Sequence, residues 1–342
     1  MKKLRIVVLM HEDLVPPSST RGHTEKEILE WKTEYDVLTN LIKLGHDAEP
    51  LGVRDDLSPI RLALDEKKPH VVFNLLEEFH SVAQYDQHVV SYLELMRQPY
   101  TGCNPRGLML SHDKSLSKKL LTYHRVPTPR FLEFPMQRSV KPPAKLPYPL
   151  LVKSARDDAS LGISQASIVH TPDKLKDRVR FIHEHFKTSA LVEEYIEGRE
   201  FYVGVMGNTR LETLPVWELS FTNASEDIPL IATRRVKWDP DYQKKIGVKT
   251  AAAVDLSPQV VSQLQNLAKR TYKVLNLSGY ARMDFRMSND GKFYILEANP
   301  NPNLSHGEDF SESAEVAGYS YPDLMERILK LGLSYQAAWQ MA

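Results

Sequence analysis

Apolar positions along the chain first fall into short unbroken runs. "LRIVVLM" (4–10) and "HVVFNLL" (70–76) lack polar alternation, which predicts strands buried on both faces of a sheet. Between them, Ile28, Trp31, Val37, Leu38, Leu41 and Leu44 recur at helical spacing. They predict one helix over 24–44, stopped by Gly45 in the C′ position. "HVVSYLELM" (88–96) predicts another helix. Strand alternating with helix predicts a small open α/β unit over residues 1–103.

Beyond it the pattern changes. A helix beginning near Asp113, the stretch "KPPAKLPYP", the strand "LLVKSA", a helix over 172–186 and the strand "ALVEEYI" form a central unit, 104–197. A third unit, 198–342, holds "EFYVGVM", a long polar segment over 220–255, a helix over 258–275 and a hairpin.

The hairpin carries the first chemistry. "ARMDFRMSNDGKFYILEAN" alternates on both sides of Asp290-Gly291, a dipeptide suited to a two-residue turn. That turn pairs Asn289 with Lys292, Asp284 with Glu297 and Arg282 with Asn299. Met283, Phe285, Met287, Tyr294, Leu296 and Ala298 then share the apolar face. Opposed carboxylates repel. Arg282 and Arg286 soften this diagonally, but Mg²⁺ or Mn²⁺ explains it better, because Asp284, Glu297 and the Asn299 carbonyl offer hard oxygen ligands. The bland alternative is a solvated face with incidental charge.

Two lysines point to phosphate. Lys114 stands at a helix start in "SHDKSLSKKLL", and Lys153 ends the strand "LLVK" before the small-residue loop "SARDDASLG". Loop N–H groups beside such a lysine can bind phosphate oxygens. An isolated lysine there is ordinarily just solvent-exposed. In "ALVEEYIEGRE", a strand edge with Glu193, Glu194 and Glu200 suits a purine amino group and ribose hydroxyls, though taken alone it reads as a strand with a polar end.

Composition narrows the classes. Lys plus Arg and Asp plus Glu balance at 44 each, so no global charge draws the chain to nucleic acid or a membrane surface. No apolar run approaches the ~20 residues of a membrane helix. The opening run is too short for a secretion signal. Cys103 is the single cysteine, and a reducing cytoplasm is the expected compartment. Cys103 reads as a tucked small residue, and His11, His23 and His306 show no ligand set.

"YTGCNPRGLMLSHDKSLSKKLL", "YPLLVKSARDDASLGIS", "LVEEYIEGREF", "ARMDF" and "YILEANPNPNLSHG", in this order, resemble the ATP-grasp ligases, nearest their D-alanine–D-alanine ligase branch. The resemblance implies three domains: an N-terminal open α/β domain and two α+β ATP-grasp subdomains gripping ATP between them. Lys114 and Lys153 would contact the α- and β-phosphates, with Ser160 in a lid over them. Glu193, Glu194 and Ile196 would border the adenine, and Glu200 would hold the ribose. Asp284, Glu297 and Asn299 would bind two Mg²⁺ ions, Lys237 would meet the γ-phosphate, and Arg282 would face the reacting acyl group. Small carboxylate and amine substrates, an acyl-phosphate intermediate and a homodimer through the first domain's helices complete the expectation.

The sequence departs from the branch on the substrate side. Asn303 replaces a glycine whose N–H serves the oxyanion, Ala159 a serine, Trp238 a tyrosine and Glu77 a histidine. Pro16 and Pro17 stand near an expected Gly-Gly loop, with Glu25 or Glu27 as poor substitutes for its glutamate. Asp157 and Asp158 sit in the lid. A ligase with its own substrate pair is the expectation. Synthesis of D-alanyl-D-alanine, or nucleotide binding without ligation, are the alternatives.

Overall fold

A computed structural model describes residues 2–144, 146–156, 163–223, 231–233, 235–236 and 239–341. Ser160 and Lys237, with Asp157, Asp158, Ala159 and Trp238, lie outside the described residues.

The first sheet is parallel. β1 (Arg5–His11) lies between β2 (Asp47–Val53) and β3 (Val71–Asn74). The unbroken run in β1 buries both faces: Val7 and Leu9 join one core with Val72, while Ile6, Val8 and Met10 join another with Val37 and Leu41. β2 escapes a pattern search because Asp47, Glu49, Pro50 and Gly52 break its apolar rhythm. It is an edge strand, where proline is tolerated.

The single helix expected over 24–44 is two. α1 (Glu25–Glu30) starts on a capping box in which Thr24 and Glu27 bond each other's backbone N–H. α2 (Lys32–Lys43) follows after Trp31 leaves helical geometry at φ −120°, ψ 20°. Trp31 is buried beside the rings of His23 and Tyr35, so tertiary packing overrides a continuous helical period. Gly45 takes φ +86° just past the end of α2, as the sequence predicts. α3 (Ser58–Lys67) and α4 (Asp86–Leu95) complete this unit.

α5 (Pro105–His112) and α6 (Lys114–Tyr123) lead into a second sheet, ordered β4-β7-β5-β6, of antiparallel pairs. Its strands are β4 (Phe131–Phe134), β5 (Leu150–Ser154), β6 (Ile168–Val169) and β7 (Ala190–Glu194). α7 (Pro172–Phe186) packs Leu175, Val179 and Ile182 onto Leu150, Val152 and Val192.

The third sheet is antiparallel, ordered β10-β9-β8-β11-β12. It contains β8 (Gly198–Met206), β9 (Glu212–Phe221), β10 (Val248–Ala252), β11 (Tyr280–Ser288) and β12 (Phe293–Pro300). The helix Pro258–Val274 covers its apolar face through Leu264, Ala268 and Tyr272. The described residues thus hold one parallel sheet and two antiparallel sheets, a mixed helix-and-sheet fold.

Candidate active site

The β11–β12 hairpin reaches the expected register by an unexpected route. Ser288 N donates to Lys292 O at 2.9 Å and Gly291 N to Ser288 O at 2.8 Å, closing a three-residue loop of Asn289, Asp290 and Gly291. Gly291 takes φ +80°, the left-handed position such loops favour. That loop alone would slip the pairing by one residue. A bulge at Leu296 slips it back, so Asp284 faces Glu297 and Arg282 faces Asn299. The bulge also corrects the apolar face. Ile295, opposite Phe285, enters the core, and Tyr294 lies opposite Arg286.

The opposed carboxylates are no solvated face, because Asp284 is only 3% exposed. Arg282 donates from Nε and Nη2 to the two Asp284 oxygens at 2.8 and 2.9 Å. Asn299 Nδ2 donates to Asp284 Oδ2 at 2.9 Å. Arg282 also approaches Asp309 at 3.8 Å and lies 4.5 Å over the Tyr202 ring. Burial works against the guanidinium's charge, but the Asp284 carboxylate outweighs it and raises the Arg282 pKa. Among the described residues no three Asp, Glu, His or Cys side chains form a metal cluster. The donor set here is two carboxylates and an amide oxygen, hard ligands whose chemistry fits Mg²⁺.

Glu297 connects this hairpin to the lysines. Lys114 Nζ lies 4.0 Å from Glu297 Oε2. Lys114 is the first residue of α6, whose N-cap Asp113 accepts from Leu116 N at 2.8 Å. Its own N–H donates to Ala155 O at 3.0 Å, tying α6 to the end of β5, where Lys153 sits. Both lysines are buried, contrary to the exposed reading of an isolated strand-end lysine.

Glu193 is turned inward. Lys118 Nζ and Lys153 Nζ each approach one of its oxygens at 2.6 Å, without well-angled hydrogen bonds. Burial pushes the Glu193 pKa up, but the two ammoniums outweigh it and hold the carboxyl below its ordinary range. Lys118, i+4 from Lys114 on the same helical face, is the residue that motif reading missed; its spacing was the available signal.

Glu194 turns to the other side and pairs with Arg130 at 3.0 Å, while Ile196 is half-buried in the turn between β7 and β8. Glu200 is buried, accepting from Arg286 Nη2 at 2.5 Å and from the Tyr202 hydroxyl at 3.1 Å. Arg286 thus serves Glu200, its partner across β8 and β11.

After β12 the loop carrying Asn301 and Asn303 makes a latch. Asn301, at φ +50°, accepts from Cys103 N at 2.8 Å through Oδ1. Asn303 Oδ1 accepts from Thr33 Oγ1 at 2.9 Å and Ser305 N at 2.8 Å, joining this loop to α2. Cys103 is fully buried and its thiol is pushed up to about 12 by burial, which removes it as a nucleophile. His306 is exposed.

Residues 121–330 match the family described as "D-ala D-ala ligase C-terminus". The uncharacterized protein y4sG of Sinorhizobium fredii is 33% identical over 259 residues, 76% of this chain and 73% of that protein. A D-alanine–D-alanine ligase of Carboxydothermus hydrogenoformans is 30% identical over 275 residues, 78% of this chain and 83% of its own length. The crystal structure of D-alanine–D-alanine ligase from Bacillus anthracis complexed with ATP superposes with TM-score 0.74 at 23% identity, covering 96% of this chain and 97% of that one. The last likeness establishes the fold.

Proposed function

The chain belongs to the D-ala D-ala ligase C-terminus family, and on that premise we propose that it is an ATP-dependent carboxylate–amine ligase of the ATP-grasp superfamily. One observation carries the reading: Lys114 Nζ stands 4.0 Å from Glu297 Oε2, so a lysine of phosphate-binding type meets the carboxylates of metal-binding type.

Joining a carboxylate to an amine in water is uphill, so the carboxylate must be activated. It attacks the γ-phosphorus of ATP, forming an acyl phosphate and releasing ADP. The amine nitrogen then attacks the acyl carbon, loses a proton and expels phosphate. Such transfers depend on positioning and electrostatics. Lys114 and Lys153 hold phosphate oxygens, Glu193, Glu194 and Ile196 border the adenine, and Glu200 holds the ribose. Lys237 at the γ-phosphate and Ser160 in the lid belong to the same proposal. Arg282 faces the developing oxyanion. Mg²⁺, held by Asp284, Glu297 and Asn299, would supply charge neutralisation on the phosphates.

The substrates are a small amino-acid-like carboxylate and amine. A pair other than two D-alanines is supported by Asn303, whose side chain is anchored to Thr33 where the branch has a bare glycine. Among the described residues no helix is long and apolar enough to cross a membrane. Together with the lone cysteine this supports a cytoplasmic site. A homodimer through the helices of the first unit belongs to the same proposal.

The test is release of ADP and phosphate from Mg-ATP on adding pools of carboxylates and amines, with products read by mass spectrometry. D-alanine alone is one arm, and its turnover would make D-alanyl-D-alanine the product. Tight ATP binding with no stimulated release by any pool would overturn ligation and leave a nucleotide-binding protein.

A further inference from the structure

The cluster around Glu193 does not balance its charge. Lys118, Lys153 and Glu193 are 2%, 5% and 1% exposed, so two ammoniums and one carboxylate share a nearly water-free space. Lys118 Nζ also donates to Thr128 Oγ1 at 2.8 Å, a neutral partner. The Glu297 carboxylate also acts on Lys118, but it faces Lys114 at 4.0 Å, so three ammoniums and two carboxylates still leave one positive charge over. Excess buried charge is costly unless an opposite charge arrives. Burial lowers the Lys118 pKa, and the Glu193 carboxylate works against that loss of charge.

Consider the cluster without Lys118. Glu193 and Lys153 would form a one-to-one ion pair, and the β5 lysine would have little field left to offer an anion. Lys118 prevents this by taking the second oxygen of Glu193. Its place on α6, four residues after Lys114, ties the arrangement to the other lysine of the site. Each Glu193 oxygen faces one ammonium, so the carboxylate bridges the two lysines.

We propose that Lys118 is a positioning residue: by sharing the Glu193 carboxylate it keeps a net positive charge at Lys153 for the phosphates of a nucleoside di- or triphosphate. The proposal rests on the ATP reading and names how that site discriminates nucleotides by phosphate. It predicts a dependence on charge count. Wild type carries one excess positive charge, Lys118→Met none, and the double variant Lys118→Met/Glu193→Gln one again.

The experiment titrates adenosine, ADP and Mg-ATP calorimetrically into wild type, Lys118→Met, Lys118→Arg and the double variant. Lys118→Met should lose at least roughly tenfold in ADP affinity while adenosine stays within about twofold. Lys118→Arg should retain ADP binding, and the double variant should recover most of the loss. Equal losses for adenosine and ADP would reduce Lys118 to a packing role and overturn the proposal, as would a double variant no better than Lys118→Met. If Lys118→Met does not fold, the double variant carries the test: it must prefer ADP over adenosine as strongly as wild type does, and a lost preference overturns the proposal. Failure of wild type to bind any of the three would instead sink the ATP reading itself.

Discussion

Arg282 grips Asp284, two residues along the same strand, through paired hydrogen bonds of 2.8 and 2.9 Å. The guanidinium therefore has two duties. It neutralises one of two opposed carboxylates, and in the proposed ligase it presents its remaining N–H groups to the reacting centre. Arg282→Ala should lower turnover by about 10²–10³-fold, the usual effect of removing one oxyanion donor, while ATP affinity changes little. It should also cost ~1–3 kcal/mol of stability by leaving Asp284 short of a partner. Turnover and ATP titration of the purified variant check both. Unchanged turnover removes Arg282 from the chemistry.

The carboxylates make a separate prediction. Without a divalent ion, Glu297 and Asp284 depend on Lys114 and Arg282 for balance. Asp284→Asn and Glu297→Gln should abolish the rise in melting temperature that Mg²⁺ plus ADP gives wild type, because each removes a charged hard ligand. A thermal shift series with and without Mg²⁺ measures this. Variants that keep the full Mg²⁺-dependent shift would dissociate these residues from metal.

How much was legible beforehand depended on how local the cause was. Opposition of Asp284 and Glu297 could be read from strand alternation, yet for an incomplete reason: a three-residue loop and the Leu296 bulge cancel each other's slip. No pattern of alternation announces a compensating bulge, so Ile295 and Tyr294 were assigned to the wrong faces. The end of α2 was legible because Gly45 needs only its own backbone freedom. The break at Trp31 was not, since it depends on rings brought by the fold. Lys114 and Lys153 were legible as strand-end and helix-start lysines, but their burial and the tie between Lys118 and Glu193 span 75 residues of sequence. Ser160 and Lys237 lie outside the described residues.

The latch between Cys103 and Asn301 predicts a sensitive glycine. Gly102 adopts φ +93°, and a Cβ there would come within 2.5 Å of Asn301 Oδ1, the atom that accepts from Cys103 N. Gly102→Ala should therefore lose ~1–3 kcal/mol from backbone strain, with displacement of Asn301 added to it. Gly22, at φ +88° with no atom near its would-be Cβ, isolates the strain alone. Urea unfolding of both alanine variants should show the larger loss at Gly102. Equal losses would mean that the latch adds nothing.

The last prediction concerns a carboxyl that the proposed chemistry does not use. Glu34, on α2, is 5% exposed, and burial pushes its pKa up from 4.5 to about 7, with Glu77 adding repulsion. In the unfolded chain it returns to the ordinary glutamate value. Below pH 4.5 both states are protonated and the carboxyl costs nothing. Between pH 4.5 and 7 the unfolded chain ionises while the folded one holds its proton, so stability falls as pH rises. Above that window the penalty is constant, at up to about 3 kcal/mol. Glu34→Gln cannot ionise and should escape it. Its stability should match wild type near pH 4.5, then exceed it increasingly up to pH 7 and level off beyond. Urea unfolding of the two proteins across that range gives the difference curve directly, cancelling every other titrating group. A difference independent of pH would show that Glu34 is already charged in the fold, and would return it to the ordinary carboxylates of the surface.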